Sequence, residues 1–105
     1  MSGPQRGDVW WGETPERKGR PYLVLTRDEA IPVLRSIVVA PVTRTVRGIE
    51  SELAMGRAEG LSVDCAASFD SLATFPKGML TRRLGRLAES RTHEMCAALT
   101  SAFNC

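Results

Sequence analysis

Histidine occurs once in this 105-residue chain, as His93, and cysteine three times, as Cys65, Cys96 and Cys105, with no CxxC pair among them. A single histidine cannot build a His-based triad, a two-histidine nuclease centre or an HExxH zinc site within one chain. Three cysteines without paired spacing suit a reduced, cytosolic protein better than a disulfide scaffold or a zinc site. Neither phosphate-cradling motif is present: there is no GxxxxGK[ST], and no GxGxxG opens a βαβ unit. The carboxylates are scattered, without the cluster that a two-metal nuclease needs. No metal or cofactor is expected. No apolar run approaches the ~20 residues of a membrane-crossing helix. The opening MSGPQRGDVWWGE holds no apolar stretch of ~7–15 residues, so no secretory leader is expected.

Hydrophobic residues make up 43% of the chain and charged residues 25%, which is ordinary globular composition. The length predicts one domain, residues 1–105, burying only ~60–65% of its extended-chain surface around a thin core. Fourteen basic and twelve acidic residues leave a net charge of +2. Such a balance tolerates a polyanion without diagnosing one.

The chain reads as strands first and a helix last. Residues 7–13 (GDVWWGE) form a β-prone run between glycines, and 14–19 (TPERKG) read as a mobile polar loop. Residues 20–26 (RPYLVLT) give a second strand, with Pro21 near its start. Residues 28–32 form a turn or a single helical turn. SIVVAPVT, residues 36–43, is nearly continuous in apolar residues and is expected to be buried on both faces, with a bulge or edge at Pro41. Three further short strands are predicted at 50–55, 61–67 and 69–75, after which Pro76 and Gly78 break the pattern. Close-spaced strands with short turns indicate a small barrel or sandwich. From Ser90 the period lengthens: Met95, Ala98, Leu99, Ala102 and Phe103 make one helical stripe, with Ser90 or Thr92 as its cap. No internal repeat or low-complexity segment is present.

With these absences, chemistry must rest on Arg, Lys, Ser, Thr, Asp or Glu. One reaction suits that set: metal-free RNA cleavage, in which the ribose 2′-OH attacks its own phosphate. The substrate supplies the nucleophile, and the protein positions it, moves protons and stabilises charge on phosphorus. A guanidinium offers forked donors to phosphate oxygens and stays charged. A threonine hydroxyl donates to the same oxygens.

Four segments carry a resemblance. The opening Arg6-Gly7-Asp8-Val9-Trp10 resembles the RGDI/V-aromatic start of the MazF/PemK family of toxin endoribonucleases. Gly19-Arg20-Pro21-Tyr22-Leu23-Val24-Leu25-Thr26 is similar to that family's xRPxLVLS strand, and Val39-Ala40-Pro41-Val42-Thr43 to its VxPxT strand. Phe69-Asp70-Ser71-Leu72-Ala73-Thr74-Phe75, followed by Lys77 and Leu80, resembles the xDQIRTIxKxRL block. Order and spacing agree from about Arg6 to Leu87. The resemblance implies a mainly β, SH3-like small barrel of the CcdB/MazF type with a C-terminal α-helix. It also implies a homodimer, and an antitoxin partner whose C-terminal peptide covers the RNA groove. The implied activity is sequence-specific, metal-independent cleavage of single-stranded RNA, leaving 2′,3′-cyclic phosphate and 5′-OH ends and arresting translation and growth.

By the same resemblance Arg20 and Thr43 are the catalytic pair. Arg20 stabilises the pentavalent phosphate and assists proton transfer, while Thr43 hydrogen-bonds the scissile phosphate. RNA contacts are placed on Arg17, Lys18, Tyr22, Arg44, Asp70 and Ser71. Ser71 and Ala73 stand where the family has Gln and Arg, and Arg44 follows Thr43 where a small or polar residue is common; these departures bear on base preference. On sequence alone, Arg20 is a surface arginine at a strand start and Thr43 a β-forming residue. Trp10 and Trp11 alternate across a strand, so one belongs to the core and the other to the surface. An exposed Trp or Tyr22 offers a face for base stacking or for a dimer seam. Cys65 and Cys96 read as packing residues, His93 as a solvated helix residue, and Lys77, Arg82, Arg83, Arg86 and Arg91 as a solvated basic face. Two other classes fit the same barrel: a CcdB-like toxin that binds DNA gyrase without cleaving, and a cleavage-dead RNA-binding module.

Overall fold

The computed structural model describes residues 3–104; Cys105 lies outside them. Seven strands and one helix follow in order: β1 (Asp8–Thr14), β2 (Arg17–Val24), β3 (Ser36–Thr43), β4 (Glu52–Met55), β5 (Cys65–Ser68), β6 (Ala73–Pro76), β7 (Leu80–Arg86) and α1 (Thr92–Phe103). The strands form one sheet in the order β4-β5-β3-β2-β1-β7, with β6 paired to β3 beside β5, and every pairing is antiparallel. The mainly β small barrel with a C-terminal helix expected from the sequence is present, its sheet curled into a half-barrel. No helix among the described residues is long and apolar enough to cross a membrane.

Several elements differ from expectation. Thr14 and Arg17 pair across the ladder, so the polar stretch 14–19 is the tip of a hairpin with only Pro15 and Glu16 between strands. Polar side chains there do not oppose pairing, because the strands' outer face is solvated. On β3, Val38 is 38% exposed, so that strand is buried on both faces only in part. Pro41 falls where one flank of β3 changes partner, from β6 at residues 36–39 to β5 at Val42 and Thr43. A ring without an N–H costs nothing to the ladder at such a break.

The expected strand at 61–67 starts only at Cys65, after a 3-10 turn at Arg57–Glu59 that ends on Gly60 with φ +89°. The expected strand at 69–75 divides into a 3-10 turn, Phe69–Ser71, and β6. Strand β7 has no counterpart in the sequence reading. Its consecutive Thr81, Arg82 and Arg83 are all exposed and mask the period-two signal. The α1 cap is also different. Arg91 is the N-cap without a side-chain cap bond, Ser90 lies in the preceding Glu89–Arg91 turn, and Thr92 is already helical. Met95 and Ala98 are buried and Leu99 and Ala102 pack beside them, whereas Phe103 is 62% exposed.

Two apolar clusters fill the curl. One lies beneath α1 and joins Val9, Leu23, Val42, Leu53, Phe69, Leu87 and Met95. The other joins Tyr22, Val24, Ile37, Val39, Phe75 and Leu80, with Trp10 packed against it. Each fully buried side chain of this size contributes about 1.5–3 kcal/mol by leaving water.

The sheet ends at β4 and β7, and no strand pairing joins these two. The turn after β4 makes the closure instead, pressing backbone against backbone. A Cβ at Gly60 would run into the carbonyl oxygen of Leu84, and one at Gly85 into that of Glu59. On the opposite flank of the same end of β7, the buried carboxylate of Asp8 accepts hydrogen bonds from the Gln5 amide (3.0 Å), Trp10 Nε1 (3.1 Å) and Arg86 Nη1 (2.7 Å), with Arg83 Nε at 3.4 Å. Gly85→Ala should therefore cost about 2–3 kcal/mol, since neither facing backbone can retreat without opening the curl. Gly78→Ala, which has open space around it, should stay within about 0.5 kcal/mol. Urea denaturation of both variants checks this, and equal midpoints would overturn the close-approach account.

Candidate functional site

A groove of about 900 Å³ opens over the first half of β2 and the end of β3. Arg17, Lys18, Arg20 and Arg44 line it, and no Asp or Glu does. Trp11, Thr43, residues 61–63, Cys65, Ser71, Leu72 and Ala73 complete much of the wall. Four positive charges in a concave site with no carboxylate among its lining residues focus an electrostatic field that favours a polyanion.

The strands place each group. Arg20 sits opposite Gly12 in the β1–β2 ladder, immediately before Pro21, which holds the preceding residue extended. Its side chain reaches solvent, and among the described residues it has no ion-pair or hydrogen-bond partner, so its forked donors are available. Thr43 ends β3, paired with Ala66 of β5. Its Oγ1 accepts the Thr45 amide at 3.1 Å, which fixes the hydroxyl and leaves its own proton to donate. The segment beyond Thr43 is held by Glu52, whose Oε1 accepts the amides of Arg47 (2.9 Å) and Gly48 (3.0 Å).

Of the eight residues singled out from sequence, seven line this groove: Arg17, Lys18, Arg20, Tyr22, Thr43, Arg44 and Ser71. Asp70 does not. Its carboxylate accepts the Ser51 hydroxyl at 2.5 Å and ties the Phe69–Ser71 turn to the start of β4. Tyr22 is only 2% exposed, its ring packed on Phe75 with centroids 4.6 Å apart, so that ring has no free face for a base. Neither tryptophan is fully buried. Trp10 leans on the second core cluster, while Trp11 faces the groove.

Cys65 lies in the groove wall, a position its strand-like sequence context did not signal. Burial pushes its thiol up, with the nearby charges of Asp64 and Glu59 adding to the shift, so it stays protonated and is a poor nucleophile. Its Sγ donates to the Val63 carbonyl at 3.4 Å. Cys96, read as a packing residue, is exposed on α1, because position 96 falls off the Met95–Ala98 stripe. His93 is exposed on the same helix. No three His, Cys, Asp or Glu side chains among the described residues come together as metal ligands do.

The basic face resolves into fixed and free charges. Lys77 Nζ donates to the Ile31 carbonyl at 2.7 Å, and Arg83 and Arg86 belong to Asp8. Arg91 bridges Glu59 Oε2 (3.1 Å), Glu94 Oε1 (2.9 Å) and the Ala54 carbonyl (2.8 Å), which docks α1 against β4. The Arg91 hydrogen bond holds the Glu94 carboxyl below its ordinary range.

Residues 5–103 match the family model described as PemK-like, MazF-like toxin of type II toxin-antitoxin system. The chain is 43% identical over 103 residues to the probable endoribonuclease MazF5 of Mycobacterium tuberculosis, covering 97% of this chain and 94% of that protein. The solved Mycobacterium tuberculosis toxin MazF-mt6 superposes with a TM-score of 0.86 at 33% identity, over 92% of this chain and 96% of that one. An endoribonuclease from a mycobacterial species, solved in complex with its cognate antitoxin, shares the fold at a TM-score of 0.83 and 24% identity, covering 96% and 95% of the two chains. A family match along almost the whole chain, with a relative this similar, shows that the protein belongs to the PemK-like, MazF-like toxins of type II toxin-antitoxin systems.

Proposed function

We propose that this toxin is an endoribonuclease that cuts single-stranded RNA at short sequences, without a metal ion, in the groove between β2 and β3. The observation that carries this reading is the juxtaposition of four unneutralised cations and one oriented hydroxyl in a site without carboxylates. The kinship with proteins named endoribonucleases supports it.

In the proposed reaction the ribose 2′-oxygen attacks the adjacent phosphorus in line, the bond from phosphorus to the 5′-oxygen breaks, and the 2′ proton is lost as the 5′-oxygen gains one. The upstream fragment keeps a 2′,3′-cyclic phosphate and the downstream fragment a 5′-hydroxyl. Arg20 stabilises the negative charge that grows on the equatorial oxygens and assists proton transfer; its geometry favours two parallel donors over a point charge. Thr43 donates to the scissile phosphate. Arg17, Lys18 and Arg44 hold flanking phosphates, and Ser71 lies along the strand's path. The toxin acts on cytoplasmic RNA and is silenced by a cognate antitoxin; the mycobacterial endoribonuclease that shares this fold was solved in complex with its own. An acidic antitoxin segment laid in the groove would compete with RNA for the same cations. The working unit is a homodimer: Val33, Leu34 and Val38, close together in sequence, expose apolar side chains that a second copy would cover.

Cleavage of labelled RNA should survive EDTA and His93→Ala, and RNA with 2′-deoxyribose at the scissile position should be inert. Arg20→Ala should lower the rate by about 10²–10³, as removal of one transition-state charge donor does. Arg20→Lys should rescue it poorly. Thr43→Ala removes one neutral hydrogen bond of ~1 kcal/mol and should be milder. A folded Arg20→Ala variant that cleaves at the wild-type rate would refute the mechanism. Inhibition of gyrase supercoiling without RNA cleavage would favour the CcdB-like reading, and RNA binding without cleavage the cleavage-dead one.

Light scattering should give a dimer mass at micromolar concentration; a monomer throughout that range would exclude the homodimer.

A further inference from the structure

We infer that Trp11 and Arg82 form a nucleotide subsite beside the scissile position, the indole stacking a base and the guanidinium meeting a backbone phosphate. The inference rests on the reading of the groove as an RNA site and adds to it the direction in which the strand leaves.

Trp11 lines the groove next to Arg17, Lys18 and Arg20, and its ring is only partly covered. It is held from two sides. The ring lies against the backbone of Gly19, so closely that a Cβ there would run into the indole. Its Nε1 donates to Glu13 Oε1 at 3.1 Å. An indole whose N–H is satisfied and whose position is fixed has only its π surface left to offer. Stacking on that surface suits any base, because every base has a π face.

The sheet register then supplies the neighbouring charge. Trp11 pairs with Pro21 on one flank and with Arg82 on the other, so Pro21, Trp11 and Arg82 form a row across three strands. Residues directly opposite in an antiparallel pair have Cβ atoms about 4.5–5.5 Å apart on one face. Arg20, opposite Gly12, stands one step along from this row. Among the arginines of β7, Arg83 and Arg86 are engaged by Asp8, whereas Arg82 is exposed and has no ion-pair partner among the described residues. A strand leaving the groove past Arg20 therefore meets an aromatic surface and then an available cation. This is the pairing of stacking and charge that single-strand binders use.

The test uses intrinsic tryptophan fluorescence and a short, mixed-sequence single-stranded DNA, which lacks the 2′-OH and is not cut. The DNA should quench the wild-type emission, and an abasic oligomer of equal charge should not. In Trp11→Phe, where only Trp10 emits, the quenching should vanish, and KM for RNA should rise less than in Trp11→Ala, because phenyl still stacks. Trp11→Ala should raise KM for RNA about 5- to 100-fold with little change in kcat, as loss of one stacked base does. Arg82→Ala should flatten the log–log salt dependence of DNA binding by about 0.7, the release of one counterion set from a single strand. Equal quenching by the abasic oligomer, quenching that persists in Trp11→Phe, or an unchanged KM in Trp11→Ala would overturn the inference. The comparison of the two oligomers needs only wild-type protein, so it stands even if a variant fails to fold. RNA cleavage measured in parallel separates the two readings. Cleavage without base-dependent quenching overturns the subsite alone, and neither cleavage nor DNA binding overturns both.

Discussion

The curl of the sheet depends on a contact between two backbones, at Gly60 and Gly85. An open antiparallel sheet has two edges, and here the edges are β4 and β7. The Arg57–Glu59 turn brings them together without a ladder, and it does so at a distance that only residues without a Cβ allow. Once that seam is closed, Glu59 is buried and requires a partner, which Arg91 provides from just before α1. Removing one partner of such a buried pair typically costs about 3–5 kcal/mol. The helix is thus docked partly by the same closure that shapes the sheet. Beneath it, Met95 and Ala98 seal the first core cluster.

Asp8 performs a matching role where β1 meets β7. It is a buried carboxylate with several donors converging on it, and two of them are arginines of the last strand. The first strand is therefore clamped to the last by charge, while β1 also carries Trp11 into the groove and faces Arg20 through Gly12. Gly12 itself has no room for a side chain, since a Cβ there would come within 2.9 Å of Leu80 and Phe75. Strand β1 thus joins the stability of the closure to the geometry of the site. Substitutions in this strand should affect both together, which distinguishes them from changes at Arg17 or Lys18 on the solvated hairpin.

How much of this was legible beforehand follows from what each signal measures. The strands at 8–14 and 36–43 were readable because dense β-branched and aromatic residues leave few alternatives. Strand β7 was not, because three polar residues in a row hide alternation, and its pairing is specified by β1 and by Asp8 rather than by its own pattern. The break at Leu72 was hidden for the opposite reason: FDSLATF looks continuously β-prone, but the tie between Ser51 and Asp70 turns its first half into a 3-10 turn. Of the residues that line the groove, Arg20, Thr43 and Arg44 lie in or beside the segments that carry the motif resemblance, and the hairpin cations lie near Arg20 in sequence. Asp70 lies off the groove, because a residue near a groove in sequence need not face it. Trp11 was recognised only as one of two alternating tryptophans, since its selection depends on Gly19 of another strand.

The same reasoning explains how a chain of net charge +2 can present a strongly cationic groove. Charge that stabilises the fold is neutralised in place: Asp8 absorbs Arg83 and Arg86, Glu59 and Glu94 absorb Arg91, and Glu52 accompanies Arg47. The groove holds Arg17, Lys18, Arg20 and Arg44 with no acid among its lining residues. Net charge averages these two populations and so reports neither. What a phosphate backbone meets is the local sum, which in a concave, partly apolar site is screened less than on an open surface. The local sum also makes the groove vulnerable to a competing polyanion. A peptide of opposite charge would need no complementarity to the catalytic geometry to displace RNA, only several carboxylates spaced along the same path. Cleavage and inhibition would then draw on the same four cations, Arg20 among them, so an inhibitor that neutralised them would engage one member of the proposed catalytic pair and bar the way to Thr43.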